Sequence, residues 1–389
     1  MVQSVETMAL GSFAKCCRSL LREPSKRAFL GVLQPGLIES CFGAKRHLLS
    51  EDVIKLQDFQ QRKLAVAHLL NGSEGNYIEL FSKKLQRNEL ILRDELKLLL
   101  HLCQSTGDME IANEAIYRYH KENRNMAFGE FKFGPVFMRL CYEFGLEEMA
   151  AAAITDEKMA GFFNDATSFN IAIDMLFTKH SFENALEVVR TMRNQRVPFS
   201  KDTLTLATGT CYKLNTAEAY RISTALIEEA QVKDHFIPRH AYCFAIGLAL
   251  KQGDVTKAQS LYSQILNADD RICQNLKVII VIMSGEMTDA ISILSAASFT
   301  KSSSFVKKTE FSQEVMDLLH LRSEGGPFMK EVEQLVKTLE QAGQVVQQTI
   351  DDMLCHTTIG NRRKQPLGMW RRKNSQRTKR PIQSTLLSE

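Results

Sequence analysis

The fold is decided by residues 167–200, TSFNIAIDMLFTKHSFENALEVVRTMRNQRVPFS. Apolar residues recur at helical spacing on both sides of a polar break at residues 178–181, and Pro198 follows the second apolar run. This pattern predicts two amphipathic helices folded against each other. Ala185 lies within the second helix, where its small side chain lets the first helix approach closely.

The same arrangement recurs along the chain. A glycine is followed five residues later by an alanine at Gly107 and Ala112, Gly145 and Ala150, Gly253 and Ala258, and Gly285 and Ala290. In the stretch quoted above His180 takes the glycine place before Ala185, and a further copy carries Ala219 without a glycine. The six alanines are spaced by 38, 35, 34, 39 and 32 residues. A period of this length, built from helix pairs, is typical of an α-solenoid whose pairs bury each other's apolar faces.

The chain is therefore predicted to be all-α, an α-solenoid of about six stacked antiparallel helix pairs with capping helices. Five segments are expected: a presequence at 1–50, N-terminal capping helices at 51–89, helical repeats at 90–300, C-terminal capping helices at 301–356, and a disordered basic tail at 357–389. Within the C-terminal cap, residues 341–355 are expected to form a last polar helix. Terminal repeats of a solenoid are atypical because one of their faces meets water.

Charge is distributed unevenly. Residues 1–50 carry seven basic and three acidic residues, residues 361–389 carry nine and one, and residues 51–360 carry 33 and 41. A protein that binds nucleic acid needs positive charge where it contacts the phosphates. The acidic body must therefore concentrate its cations locally, or the basic tail must supply them.

The N-terminal segment resembles a targeting signal in composition. One helical stripe is apolar and the opposite side is basic: Leu10, Phe13, Ala14, Cys17, Leu20 and Leu21 against Lys15, Arg18 and Arg22. A basic, amphipathic and acid-poor start is typical of a mitochondrial transit peptide and predicts a matrix protein. Removal is expected near residues 45–50, KRHLLS. The alternatives are a basic tail or a surface amphipathic helix.

The sequence lacks the motifs of several classes of enzyme and of membrane-spanning proteins. The sequence contains no G-x-x-x-x-G-K-S/T, no H-E-x-x-H and no deaminase signature. No apolar run approaches the ~18 residues needed to span a bilayer. The nine cysteines are scattered without a C-x-x-C pair, which favours free thiols in a reducing compartment. The chain is therefore predicted to be a binding protein rather than an enzyme, with no metal, no cofactor and no small-molecule substrate.

Three segments resemble the pentatricopeptide repeat pattern. The central one combines Ser168-Phe169-Asn170 with Ala185, Met192 and Val197-Pro198, and residues 240–258 and 272–290 resemble the pattern again. The resemblance covers residues 90–300. It implies that the first helices line a groove for single-stranded RNA and that each repeat can read one base.

The resemblance also implies which residues contact the bases. In the central repeat the two reading positions fall at Asn170 and Ser200, a pair that suggests a pyrimidine. The matching first positions of the other repeats are Lys97, Pro135, Thr205, Cys243 and Asn275. Lys97 is expected to meet phosphate, and Pro135 cannot read a base as an amide can. For Asn170 the alternative is a polar residue that caps its own helix.

The tail supplies a second set of candidate RNA contacts. Residues 361–381 contain nine cations and no acid, with Trp370 as the only tryptophan. Such a segment can neutralise phosphates and stack one aromatic ring on a base. The candidates are Arg362, Arg363, Lys364, Trp370, Arg371, Arg372 and Lys373. A solvated tail or a nuclear-import-like run is the alternative.

Together these features predict a mitochondrial protein that binds single-stranded RNA without catalysing a reaction. The resemblance implies a role in RNA maturation, processing or stability alongside separate processing enzymes, in support of the respiratory chain. Two other readings stay open. Residues 242–266 would also pass for a tetratricopeptide repeat, and the acidic body favours such a peptide-binding scaffold. The chain could also be a subunit of a mitochondrial ribosome or nuclease assembly.

Overall fold

The computed structural model describes residues 48–69, 74–122, 131–299 and 308–355. Its helices are α1 (Glu51–Ile54), α2 (Leu56–Leu69), α3 (Glu74–Gln86), α4 (Arg93–Leu102), α5 (Thr106–Glu122), α6 (Gly134–Phe144), α7 (Glu147–Thr155), α8 (Ala166–Thr178), α9 (Phe182–Asn194), α10 (Lys201–Leu214), α11 (Ala217–Val232), α12 (Arg239–Gln252), α13 (Val255–Tyr262), α14 (Arg271–Ser284), α15 (Met287–Phe299), α16 (Gln313–Ser323), α17 (Met329–Gln341) and α18 (Ile350–Leu354). A 3₁₀ turn (Glu157–Met159) follows α7, and two short strands, β1 (Phe311–Ser312) and β2 (Val345–Val346), pair in parallel.

Helix pairs stack in sequence order, which confirms the predicted all-α solenoid. Within the described residues the first helices of the pairs are α4, α6, α8, α10, α12, α14 and α16, and each contacts the next. The second helices are α5, α7, α9, α11, α13, α15 and α17. The seventh pair, α16 and α17, consists of the helices expected in the C-terminal cap.

The turn inside most pairs ends the first helix with a left-handed residue. Gly145, Gly253 and Gly285 have φ values of 68°, 82° and 85°. Glycine adopts this conformation without the steric cost that a side chain adds. His180 and Asn215 hold the same place at 62° and 49°, so the turn survives in the two copies that lack a glycine.

The alanines of the repeat series are completely buried. Exposure is 0% for Ala112, Ala150, Ala185, Ala219, Ala258 and Ala290, and for Met192 as well. A larger side chain at any of these alanines would overpack a closely fitted helix contact. Gly107 differs from the other glycines, because it is exposed in the first turn of α5 and does not adopt a left-handed φ.

The segment at residues 341–355 is not the single polar helix that its composition suggested. α17 ends at Gln341, and Gly343 adopts a φ of 66°. The chain then turns into β2, and the N–H of Phe311 donates to the carbonyl of Gln344 at 2.7 Å. Only five residues, those of α18, return to helix.

No helix of the described ranges is both long and apolar enough to cross a membrane.

Candidate nucleic-acid interface

We define the inner face by the residues that the resemblance assigns to base reading and by the residues four and eight positions after them. In α8 and α10 these are Asn170, Asp174 and Thr178, and Thr205, Gly209 and Lys213. Residues at this spacing share one side of a helix. Segments from both ends of the described chain lie on this face.

The N-terminal segment covers the inner face at α8 and α10. The backbone N–H groups of Leu48 and Leu49 both donate to Oδ1 of Asp174, at 2.8 and 3.1 Å. The Asp174 side chain is fully buried. Gly209 leaves room for the Leu48 side chain, since a Cβ there would lie 2.9 Å from Leu48 Cδ1.

Helix α2 continues this cover across α4 and α6. The guanidinium Nε of Arg139, on the inner face of α6, donates to the carbonyl of Ile54 at 2.6 Å. One turn later Glu143 pairs with Lys63 of α2 at 2.7 Å, and both side chains are largely buried. The two inner-face positions of α6 are therefore occupied by contacts within the chain.

Helix α18 covers the inner face at the other end, against α12 and α14. Lys213 Nζ lies 2.6 Å from a carboxylate oxygen of Asp351, and its side chain is only 4% exposed. Gly247 of α12 faces the Leu354 side chain, because a Cβ there would lie 3.2 Å from Leu354 Cδ1. A ring nitrogen of His240 bonds the Leu354 carbonyl, and burial lowers the pKa of His240.

Asn170 is buried at 3% exposure, and both its amide nitrogen and its amide oxygen form hydrogen bonds. Its Nδ2 donates to Ser200 Oγ at 3.1 Å, and its Oδ1 accepts from Thr203 Oγ1 at 2.7 Å. Ser200 is also the N-cap of α10 and accepts from the Thr203 N–H. The amide therefore links the first helix of one pair to the first turn of the next, rather than capping its own helix.

Asn275 repeats this geometry three pairs further along. It is fully buried, and its Nδ2 donates to the carbonyls of Arg271 and Glu310 at 2.8 and 2.9 Å. Its Oδ1 accepts from the N–H of Ser312, the N-cap of α16. Both asparagines thus bind the segment that caps a following first helix, so the base-reading role stays a prediction that would require these bonds to break.

The remaining predicted positions lie in several environments. Thr205 is half-buried and bonds the Lys201 carbonyl. Pro135 occupies the first turn of α6. Lys97 is exposed, with its ammonium 4.8 Å from the Phe131 ring centroid. Cys243 is buried, with its sulfur 3.6 Å from that of Cys273.

The predicted tail contacts, Arg362, Arg363, Lys364, Trp370, Arg371, Arg372 and Lys373, lie outside the described residues.

A cavity of about 400 Å³ opens where the last two turns of α11 meet the end of α9 and the loop between α9 and α10. We call it the basic pocket. Its lining residues are Arg193, Arg196, Val197, Pro198, Phe199, Leu204, Leu226, Glu229, Ala230, Lys233 and His235. Four of the five charged or titratable side chains are basic, and the floor is apolar and buried.

One carboxylate organises the charge of the basic pocket. Glu229 accepts from Lys233 at 2.7 Å and from Arg193 at 2.9 Å. The hydrogen bond from Lys233 holds the pKa of Glu229 below its usual range. Arg193 and Lys233 remain about half exposed. Arg193, Arg196 and Lys233 set against Glu229 therefore leave the basic pocket with two positive charges in excess.

This combination suits a nucleotide unit of RNA. Guanidinium and ammonium groups bind phosphate oxygens, and they do so without reading sequence. Phe199 and Pro198 offer an apolar surface beside these cations, where a base can stack. A cavity of this volume is within the usual range for a small ligand group.

The sequence interpretation did not identify the basic pocket. Its cations come from the C-terminal ends of two consecutive second helices, one repeat apart. Arg193 and Arg196 lie at the end of α9, and Lys233 and His235 lie at the end of α11. Aligning the repeats and comparing charge at equivalent positions would have revealed this pairing.

Other chemistry has little support in the described ranges. No cluster of three or more His, Cys, Asp or Glu side chains there could hold a metal ion. The described cysteines are buried free thiols: Cys103, Cys141, Cys211, Cys243, Cys273 and Cys355.

Comparisons with known proteins agree on the family. The family model described as mitochondrial 28S ribosomal protein S27 matches residues 21–359. A mitochondrial pentatricopeptide repeat-containing protein 2 from Danio rerio is 48% identical over 98% of this chain and 100% of its own length. The proteins of the same name from Xenopus laevis and Homo sapiens are 46% and 44% identical, covering 89% and 94% of this chain and 91% and 97% of their own lengths.

Proposed function

Because the chain belongs to the family of mitochondrial 28S ribosomal protein S27 and of the vertebrate pentatricopeptide repeat-containing protein 2, we propose that this mitochondrial protein binds single-stranded RNA through its basic pocket. It acts in the matrix in RNA maturation or stability. It holds an RNA segment for separate processing enzymes and catalyses no reaction itself, and its loss reduces respiratory chain function.

The observation that carries this proposal is the composition of the basic pocket. It combines the side chains of Arg193, Arg196 and Lys233 with the ring of Phe199 around a cavity of about 400 Å³. The body of the chain is acidic overall, so a local concentration of cations beside an aromatic ring is the feature that an RNA contact requires.

The covered inner face favours this location over the groove of the first helices. Asn170 and Asn275 are buried, and their amides bind the segments that cap α10 and α16, so a base could reach them only after those bonds had broken. Elsewhere on the inner face, the N–H groups of Leu48 and Leu49 bind Asp174, and Asp351 pairs with Lys213. The basic pocket is open without any such rearrangement. Among the described residues, α2, residues 48–49 and α18 contact the first helices that a bound peptide would need, which weighs against the tetratricopeptide-like alternative.

The size of the electrostatic contribution can be worked out. For single-stranded nucleic acid, log K falls with log salt at a slope of roughly −0.7 per neutralised phosphate. Two or three phosphates at the pocket then cost about 7- to 18-fold in affinity between 50 and 200 mM salt. Removing one cation should reduce the slope by about 0.7.

The test measures the affinity of the full chain for a short fluorescent single-stranded RNA over a series of salt concentrations. Arg196→Ala should weaken binding about fivefold, equivalent to about 1 kcal/mol. Glu229→Gln should strengthen it, because the variant frees Arg193 and Lys233 for phosphate. Arg190→Ala is the matched control, since Arg190 lies on the same helix and pairs with Glu187 and Glu218.

A separate variant tests whether the basic tail supplies the RNA affinity. A full chain in which the six cations between residues 362 and 373 are replaced by glutamine separates tail binding from pocket binding. If that variant loses all affinity while Arg196→Ala and Glu229→Gln change nothing, the tail is the anchor and the pocket proposal is wrong.

The family description favours a second candidate, in which the protein assembles with the mitochondrial small ribosomal subunit. Exposed apolar side chains would serve such a contact. Val232 and Phe236, next in sequence to Lys233 and His235 of the basic pocket, are 88% and 76% exposed, and Leu266 after α13 is fully exposed.

Sedimentation separates the two candidates. If the ribosomal candidate holds, the tagged protein from mitochondrial lysate co-sediments with the small subunit, and Phe236→Ser releases it. Sedimentation as free protein or in small RNA complexes would contradict the ribosomal candidate and leave the RNA proposal in place.

A further inference from the structure

Asp174 is a fully buried carboxylate at the point where the described chain begins to cover the inner face. Both donors that reach its Oδ1, the N–H groups of Leu48 and Leu49, belong to consecutive peptide units. These two residues fall inside the stretch 45–50, where the composition predicts that the transit peptide ends.

We propose that transit-peptide removal ends immediately before Leu48 or Leu49, and that the new α-ammonium group binds Asp174. Hydrolysis of the peptide bond adds one water molecule. The departing segment keeps a carboxylate, and the nitrogen that was an amide becomes an ammonium group with three donors. Since a protease cuts the transit peptide while the imported chain is unfolded, burial of this bond in the folded state is no obstacle.

The geometry needs little change to accept the new group. The Leu48 nitrogen already lies 2.8 Å from Oδ1 and the Leu49 nitrogen 3.1 Å. Charge-assisted hydrogen bonds are shorter and about twice as strong as neutral ones. A buried charge is also stabilised most by a partner of opposite sign within hydrogen-bond distance. Processing therefore replaces an amide N–H that donates to Asp174 by a positively charged ammonium group at the same position.

The surrounding packing holds the new terminus at this position. With Leu48 as the first residue, its side chain fills the space above Gly209 of α10, and with either first residue Leu49 is buried. Helix α1 follows directly and contacts α8. A terminus fixed in this way seats residues 48–54 on the inner face, so the covered state belongs to the processed protein.

The ion pair should have a characteristic pH dependence. An α-amino group has an ordinary pKa of about 8, and pairing with Asp174 raises it in the folded state. The stabilisation is therefore complete below about pH 8 and is lost as pH rises through the raised value. α8 packs against α1, α6, α7, α9 and α10. Among the titratable groups on these elements, Tyr142 of α6 and Glu51 of α1 act with Asp174, because burial, with Asp174 and Glu51 nearby, raises the pKa of Tyr142. The other charged residues on these elements include Glu147 and Glu148 of α7, Glu183 and Glu187 of α9, and Lys201 and Lys213 of α10.

The first test is the N-terminal sequence of the protein purified from mitochondria after import of the full chain. The proposal expects Leu48 or Leu49 as the first residue. Any other first residue overturns it, because among the described residues only the nitrogens of Leu48 and Leu49 lie at the Asp174 carboxylate.

The second test measures whether the terminus and Asp174 act together. The processed chain 48–389 is released from a cleavable fusion that leaves no extra residue, and is compared with the same chain extended by Gly-Ser. The free terminus should raise the Tm at pH 7 by about 2–4 °C. Asp174→Asn should abolish this difference, and so should measurement at pH 10.5. Asp289→Asn, an exposed substitution on α15, serves as the control.

If Asp174→Asn does not fold, the pH series of the free and extended chains decides the matter alone. A Tm difference that is zero at pH 7, or that is constant from pH 7 to 10.5, overturns the proposal.

Discussion

The substitution Asn170→Ala tests whether Asn170 stabilises the fold or reads an RNA base. Asn170 donates to Ser200 Oγ and accepts from Thr203 Oγ1, at 3.1 and 2.7 Å, with a side chain that is 3% exposed. Alanine removes both bonds. Ser200 and Thr203 keep each other as partners, since their hydroxyl oxygens lie 3.0 Å apart, so neither hydroxyl becomes an orphan.

The cost follows from these contacts. A buried hydrogen bond contributes about 0.5–1.5 kcal/mol, so the loss of two should cost about 2 kcal/mol. For a folded body of this size that corresponds to a fall in Tm of about 3 °C. Because stacked repeats open locally, the first turn of α10 should exchange its amide hydrogens about 30-fold faster.

Hydrogen exchange followed by mass spectrometry measures this effect on residues 200–206, and circular dichroism measures the Tm. Asn184→Ala is the matched control, because Asn184 is exposed on the neighbouring helix α9. Affinity for single-stranded RNA should stay within about twofold of the unsubstituted chain, since a buried amide is not offered to a base. A variant with unchanged Tm and exchange that nevertheless loses RNA binding would refute the reasoning and restore Asn170 as a reader.

Three further predictions concern buried polar groups. Lys213→Ala should destabilise the fold by about 3–5 kcal/mol, because it leaves Asp351 without its buried cation. Early proteolytic release of residues 345–389 would report this loss of stability. Proteolytic resistance equal to that of the unsubstituted chain would contradict the prediction. Cys243 and Cys273 should react with iodoacetamide at pH 8 only as the fold opens, because both are buried and because the hydrogen bond from the Cys243 S–H to the Cys273 sulfur, with burial, raises the pKa of Cys243. Rapid labelling of the native protein would show that α12 and α14 separate readily. Burial lowers the pKa of His240 in the folded state. The contribution of His240 to the free energy of unfolding is therefore present above its unfolded-state pKa of about 6.5 and is lost as pH falls below that value. A Tm difference between pH 7 and pH 5 that His240→Gln leaves unchanged would contradict this prediction.

The pairing of the helices could be predicted from the sequence because its cause is local and repeated. A buried alanine recurs in the second helix of six pairs, and in five of these pairs a left-handed residue precedes it, at a period set by the length of the pair. Even the exceptions follow the same physical requirement. His180 and Asn215 adopt a positive φ at the places where other copies use glycine.

The role of the asparagines could not be predicted in this way. Asn170 and Asn275 present the same amide whether the partner is a base or the N-cap of a following helix. Only the three-dimensional arrangement brings Ser200 and Ser312 within reach and settles which bonds form here. A family sequence pattern specifies which residue type stands at a position, but it does not specify which hydrogen bonds that side chain forms.

The cover of the inner face also has no local signal. Leu48 meets Asp174 across more than 120 residues, and Asp351 meets Lys213 across a similar separation. Nothing in residues 341–355 alone indicates that a left-handed Gly343 and a strand precede α18. The basic pocket has no local sequence signal for a related reason. Its cations lie one repeat apart and come together only when the helix pairs stack.

The location of bound RNA tests the central claim most directly. The full chain is crosslinked to single-stranded RNA that contains 4-thiouridine, and the modified peptides are identified by mass spectrometry. The account predicts crosslinks within residues 193–199 and 229–236, at the basic pocket. Crosslinks confined to the first helices, at residues 170–178 and 205–213, or to the tail at 357–389, would contradict it.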